Sequence, residues 1–168
     1  AAEYLTAGRA VWCANDDLDL VGGPGEVRRR FLDLAGAQWF PGYREAARGY
    51  ARALRQRNYL LKAAPVRPQE VAAFDRPLVE HGTALQRMRA QLVAELGPVA
   101  AAAHGAIGGG EALGIAWSPG CVGDFALALA AAAGEDRRLK VTTVGPHRDD
   151  ITLSVNGHEA FLASEGQQ

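Results

Sequence analysis

Apolar positions recur at helical spacing through most of the chain, and at strand spacing mainly towards its end. From about 41 to 62, Tyr43, Ala47, Tyr50, Leu54 and Leu61 fall three, four or seven residues apart, which predicts a helix with one apolar stripe. Arg44, Arg48, Arg52 and Arg55 repeat at the same period and form a second, basic stripe. Residues 63–68, with Pro65 and Pro68, read as a loop. A second helical pattern runs from about 69 to 104 on Val71, Phe74, Leu78, Leu85, Met88, Leu92 and Leu96. Pro77 should kink or restart it, with Asp75 as N-cap. Two long helices joined by a short loop should pack antiparallel as a hairpin arm. Before them, Gly22-Gly23-Pro24 breaks the chain, and a helix carrying Val27, Phe31 and Leu34 inward should follow.

Shorter elements flank this helical part. Ala10 to Cys13 reads as a buried strand followed by a turn at Asn15-Asp16-Asp17. Gly105 to Gly110 reads as flexible chain, Leu113, Ile115 and Trp117 as a strand, and Val122 to Ala133 as a helix. Lys140 to Val144 suggests another short strand. Ile151, Leu153 and Val155 alternate ahead of Asn156-Gly157 and a strand over His158 to Leu162, which predicts a hairpin with a type I′ turn.

With 168 residues, 48% of them apolar, the chain can build a core and is no disordered tail. The net charge of −1 implies no partner by itself. The distribution says more: lysine occurs only at Lys62 and Lys140, and many arginines lie between Arg28 and Arg57, including Arg28, Arg29 and Arg30 on one predicted helix. Such a patch can attract phosphate in a nearly neutral chain. Cys13 and Cys121 have no CxxC or Cys/His partner, so they read as buried apolar residues in a reducing, cytoplasmic compartment, with no metal site and no disulfide. No apolar run reaches membrane-spanning length. The absence of an initial Met and the stop at Gly166-Gln167-Gln168 suggest an interior piece of a longer protein.

Two segments carry candidate chemistry. Gly145-Pro146-His147-Arg148-Asp149-Asp150 combines a rigid turn, an imidazole, a guanidinium and two adjacent carboxylates. The carboxylates must be separated by a cation or by solvent, so a solvated turn neutralised by Arg148 accounts for it equally well. Ala163-Ser164-Glu165-Gly166-Gln167-Gln168 places a hydroxyl beside a glycine, a backbone that can cradle an anion. His147-Arg148-Asp149 imitates a kinase catalytic loop, but Ser154 stands at the downstream Asn position. Ser164 imitates a nucleophile elbow, but Leu162 replaces the leading glycine. A serine hydrolase on Ser164 and His147 is therefore a remote alternative. No G-x-x-x-x-G-K-[ST] phosphate loop occurs in the chain.

Taken together, these segments resemble the RecF family of DNA repair ATPases. Val11 to Leu18 is similar to the family's aromatic-rich segment ending in Asp-Leu, Arg28-Arg29-Arg30-Phe31-Leu32-Asp33 to its Arg-Arg-x-Phe-Leu-Asp run, and Gln56-Arg57-Asn58-Tyr59-Leu60-Leu61-Lys62 to its Gln-Arg-Asn-x-Leu-Leu-Lys run. The resemblance implies an α+β, mostly helical fold, with an antiparallel helical arm attached to part of an ABC/SMC-type P-loop ATPase head that carries a β-hairpin. Residues 1–22 would form an edge of the head, 23–110 the arm, and 111–168 the return into the head. ATP and Mg would be held between two heads of the parent protein and none by this piece alone, which lacks Walker A and ends before Walker B. Ser164, Glu165, Gly166, Gln167 and Gln168 match the signature motif, so Ser164 and Gly166 would touch the γ-phosphate bound to the other subunit. Asp16 or Asp17 would sense the metal or the attacking water, although Cys13, Ala14 and Asn15 depart from the family's Phe, Ser and Pro there. Glu165 replaces the more usual Gln. Gly145 to Asp150 would brace the signature loop or line the dimer face. The parent protein would be a weak ATPase that dimerises around ATP, binds double-stranded and gapped DNA, and works with RecR, RecO and RecA, with Arg28, Arg29, Arg30, Arg44, Arg48, Arg52 and Arg55 as candidate phosphate contacts. The alternative is a purely structural arm and dimer interface, with DNA bound elsewhere.

Overall fold

A computed structural model describes residues 18–107 and 109–160. The elements are α1 (Asp19–Gly22), α2 (Gly25–Trp39), α3 (Tyr43–Leu61), α4 (Pro68–Ala72), α5 (Asp75–Ile107), β1 (Leu113–Ser118), α6 (Phe125–Leu139), a 3₁₀ turn (Pro146–Arg148), β2 (Asp150–Val155) and β3 (His158–Glu159). The described chain is thus mostly helical with one small sheet, as the pattern of apolar positions predicts.

By contacts the chain divides into two compact units that interleave in sequence. The first takes Ala1–Phe40, Arg89–Ser118 and Asp150–Gln168, and the second takes Pro41–Met88 and Pro119–Asp149. Helix α5 gives its first part to the second unit and its remainder to the first.

In the first unit β2 lies between β1 and β3, antiparallel to both. The β2–β3 turn has Asn156 at φ 52° and Gly157 at φ 81°, the two positive angles that a type I′ turn requires. Asn156 also closes the end of the sheet, because its N–H donates to Ala112 O at 2.8 Å and its Oδ1 accepts from Ala112 N at 2.9 Å. β3 is shorter than expected: Ala160 already has helical backbone, while Phe161 and Leu162 lie outside the described residues. The core is Leu32, Leu92, Val93 and Ile151, with Phe31, Phe40, Ile115 and Trp117 packed against it. Full burial of a side chain such as Leu32 contributes about 2 kcal/mol. The inward face of α2 therefore runs through Leu32 and Gly36, and Leu34 is 60% exposed, against expectation.

In the second unit α3 and the start of α5 form the expected hairpin. Arg57 meets Asp75, Gly49 lies against His81, and Gly82 lies against Tyr50, so contacts advance along one helix as they retreat along the other. Pro77 sits in the first turn of α5, where its missing N–H is harmless, so the pattern restarts at Asp75 after the short α4. Asp75 is the first helical residue rather than the cap beyond it. The helix continues past Pro98 and Gly105 to Ile107, beyond the expected end. The buried side of α3 comprises Tyr43, Ala46, Tyr50, Ala53, Arg57 and Leu61, whereas Ala47 and Leu54 are only half-buried. Helix α6 is displaced from the expected 122–133. It starts where the Asp124 side chain accepts from Leu127 N at 2.9 Å, and ends at Lys140 in the left-handed region. The expected strand over 140–144 is absent; these residues form a turn and an irregular loop.

Candidate functional site

Ser164, Glu165, Gly166, Gln167, Gln168, Asp16 and Asp17 lie outside the described residues, as do Cys13 and the strand expected before it. The turn and the arginines are described, and their geometry separates residues that hold the fold from residues that face solvent.

The Gly145–Asp149 turn is built into the second unit. Gly145 has φ 121°, and a Cβ there would come within 2.7 Å of both Phe125 Cζ and Tyr50 Oη. Only glycine combines that angle with that approach. Pro146–Arg148 form one 3₁₀ turn, closed by Arg148 N to Gly145 O at 2.8 Å. His147 Nε2 faces Thr142 O at 2.9 Å, and Nδ1 faces Tyr50 Oη at 2.7 Å. A carbonyl only accepts, so Nε2 carries a proton and donates to Thr142 O, while Nδ1 is paired with the Tyr50 hydroxyl. Both ring nitrogens are thus committed, which speaks against His147 as the base of a serine hydrolase. Asp149 is fully buried and accepts Gly120 N at 2.8 Å. Arg148 is exposed and does not neutralise either carboxylate through an ion pair.

Asp150 belongs to the first unit, where its partner is Arg28. Arg28 Nε and Nη2 donate to the two Asp150 oxygens at 2.7 and 2.9 Å, a bidentate pair, and Nη1 donates to Gly23 O at 2.7 Å. The Arg28 hydrogen bond holds the Asp150 carboxyl below its ordinary range, and Asp150 in turn raises the guanidinium. Arg28 is therefore engaged inside the protein and is a poor candidate for DNA phosphate. Arg29 is half-buried and has interactions of its own, and Arg30 is exposed.

A third arrangement was missed from sequence. Arg57, 1% exposed, donates to Asp75 Oδ1 at 2.8 Å, Asp136 Oδ2 at 2.6 Å and Thr142 Oγ1 at 2.9 Å. Asp136 Oδ1 accepts Thr143 N and Oγ1 at 2.9 and 2.7 Å, and Asn58 Oδ1 accepts Thr142 N and Oγ1 at 2.8 and 2.7 Å. The Arg57-Asn58 pair thus ties α3 to α6 and to the loop before the turn. The signal for it existed: Arg57 falls four residues from both Ala53 and Leu61 on the apolar period, and a buried arginine needs carboxylate partners.

The remaining arginines differ. Arg44, Arg48, Arg52 and Arg55 are all exposed on one side of α3. Among the described residues no carboxylate is paired with any of them. Arg48 Nε turns back to Arg44 O at 3.2 Å, leaving its charge outward. Tyr59 and Lys62, which the sequence reading did not assign to this stripe, continue the same side at helical spacing, and both are exposed. No cluster of metal-ligating side chains occurs among the described residues, and none of their helices is long and apolar enough to cross a membrane.

No family model matches the chain. It is 40% identical over 167 residues to the DNA replication and repair protein RecF of Symbiobacterium thermophilum, covering 91% of this chain and 44% of that protein. It is also 40% identical over 179 residues to the protein of the same name from Anaeromyxobacter sp. (strain Fw109-5), covering 98% and 48%. Among solved structures, the recombination mediator protein RecF-ATPrS in the RecFOR pathway matches with TM-score 0.89 and 23% identity, over 99% of this chain and 48% of that one. RecF-ATP from the same pathway matches with TM-score 0.84 and 22% identity, over 95% and 46%. These two likenesses establish the fold, a mostly helical chain with one small antiparallel sheet that matches part of those RecF structures. The chain spans about half the length of the curated relatives it matches, and by this similarity it belongs to the RecF family.

Proposed function

We propose that the protein containing this chain is an ATP-dependent DNA-binding protein of recombinational repair, and that this chain supplies a phosphate-binding helix face and half of an ATP-dependent dimer contact. The observation that carries the DNA reading is the α3 face on which Arg44, Arg48, Arg52 and Arg55 are exposed without a carboxylate partner among the described residues. Such a face contacts backbone phosphate without reading bases. Its relatives' name, DNA replication and repair protein RecF, agrees. In this reading, Ser164 and Gly166 meet the γ-phosphate of ATP held by a second copy, since a hydroxyl beside glycine backbone amides is a donor set that suits phosphate. ATP and Mg, bound by the parent protein, would supply the phosphate charge that these donors would hold and the bond whose hydrolysis would release it. Duplex DNA near gaps, RecR, RecO and RecA are its partners, in the cytoplasm.

The alternative, a structural arm and interface with DNA bound elsewhere, draws support from the turn and the Arg57 cluster, where each buried polar group holds a neighbour. The two readings separate in one experiment. Duplex DNA affinity of the full-length protein is measured at several salt concentrations, with Arg48→Glu/Arg55→Glu beside wild type. Phosphate contact predicts weaker binding, and a slope of log K on log salt reduced by about 0.9 for each lost contact. An unchanged affinity and slope would assign the stripe to solvent and favour the structural reading.

A further inference from the structure

The basic face of α3 does not end on an arginine. Tyr59 is 72% exposed, and it lies one helical turn, about 6 Å of rise, beyond Arg55. Lys62 follows at the C-cap. From Arg44 to Lys62 the face extends about 27 Å. The Tyr59 hydroxyl can meet a phosphate, but the face of its ring cannot, and most of the side chain is left outside the core of the unit. A ring within reach of a row of guanidinium groups offers the combination that binds single strands: charge for the phosphates and a π-face for a base. A paired base inside a duplex is covered on both faces by its neighbours and has no face to offer.

We propose that Tyr59 is a stacking residue for an unpaired base, and that the arginines of α3 align a DNA strand so that its first unpaired base reaches the ring. This deepens the phosphate-binding reading above and rests on it. The arginines bind any DNA, whereas Tyr59 adds affinity only where a strand leaves the duplex. The stripe thus supplies affinity and the ring supplies preference for DNA structure.

The test compares a blunt duplex with the same duplex carrying a single-stranded tail, by fluorescence anisotropy on the full-length protein. Variants are Tyr59→Ala, Tyr59→Trp and Arg48→Glu/Arg55→Glu. Tyr59→Ala is expected to weaken tailed DNA about tenfold and leave the blunt duplex unchanged, with Tyr59→Trp restoring the difference. A 2-aminopurine at the first unpaired position should be quenched by the wild type and not by Tyr59→Ala. If Tyr59→Ala weakens both substrates equally, or neither, the stacking role is wrong. If the arginine variant leaves both affinities unchanged, the phosphate reading fails instead, whatever Tyr59 does.

Discussion

Replacing Arg57 with Met keeps most of the side-chain volume and removes the one cation that pairs with Asp136 among the described residues. Asp136 is fully buried, so its carboxylate would remain with only the Thr143 N–H and hydroxyl. Breaking one side of a buried ion pair costs about 3–5 kcal/mol, and most of that loss is the stranded charge. The other partner, Asp75, has a side chain 40% exposed, so losing that contact adds about 0–1 kcal/mol. The origin of the cost can be isolated by Asp136→Asn. With Arg57 present, the amide NH2 faces a guanidinium donor and loses a charged hydrogen bond worth about 1.5–3 kcal/mol. With Met at 57, the same substitution removes the stranded charge while its carbonyl still accepts from Thr143. Asp136→Asn should therefore destabilise the wild type and stabilise the Arg57→Met protein. Urea unfolding of the four proteins, followed by circular dichroism, reads this double-mutant cycle, provided the slopes agree. The reasoning fails if Arg57→Met costs less than about 1 kcal/mol, or if Asp136→Asn has the same sign in both backgrounds.

Three further outcomes are expected. Asp150 is held below its ordinary range by Arg28, so its contribution to stability is present above the carboxylate's usual pKa of about 4 and is lost as pH falls through the lower folded value. Asp150→Asn should lower the thermal midpoint at pH 7 and shrink the loss seen between pH 7 and acid; an acid limb as steep as wild type would refute the linkage. Gly145→Ala forces a Cβ against Phe125 and Tyr50 at a left-handed φ, and should cost of the order of 3 kcal/mol by urea unfolding. Ser164→Arg in the complete protein should leave ATP bound to the monomer while ATP-dependent dimers, measured by light scattering, and turnover disappear; surviving dimers would remove Ser164 from the trans contact.

Helix positions and the sheet hairpin were legible because each follows from a local period or a turn pair. The strongest cases were Tyr43 and Tyr50 on α3 and Asn156-Gly157 between β2 and β3. The errors have local causes too. The spacing of Val27, Phe31 and Leu34 predicts Leu34 inward, whereas Leu32 and Gly36 face the core. Helix α6 was ended at the Gly134-Glu135-Asp136 break, yet Gly134 is tolerated and Asp136 is buried by its pairing with Arg57. Residues 140–144 were read as a strand from β-branched content, but their amides and hydroxyls are used by Asn58 and Asp136 side chains instead of by a neighbouring strand. The interleaving of the two units was not legible, because it depends on distant partners, such as Asp33 with Arg89, 56 residues apart, and Arg28 with Asp150, 122 apart.

The runs that resemble the RecF family are, among the described residues, mainly runs that hold the fold. In Arg28 to Asp33, Leu32 is core, Arg28 pairs with Asp150 and Asp33 pairs with Arg89. In Gln56 to Lys62, Arg57, Asn58 and Leu61 are committed to the interior. In Gly145 to Asp150, Gly145, His147, Asp149 and Asp150 each meet a defined neighbour. Arg44, Arg48, Arg52 and Arg55 lie between such runs, with their charges outward. The same residue type therefore stands in two environments, and burial, not motif membership, tells them apart. Substitutions at Arg28, Arg57 or Asn58 should lower the unfolding midpoint first, and those at Arg48 or Arg55 should lower DNA affinity at unchanged midpoint. An Asn58 variant that lost DNA binding while unfolding like wild type would break that division.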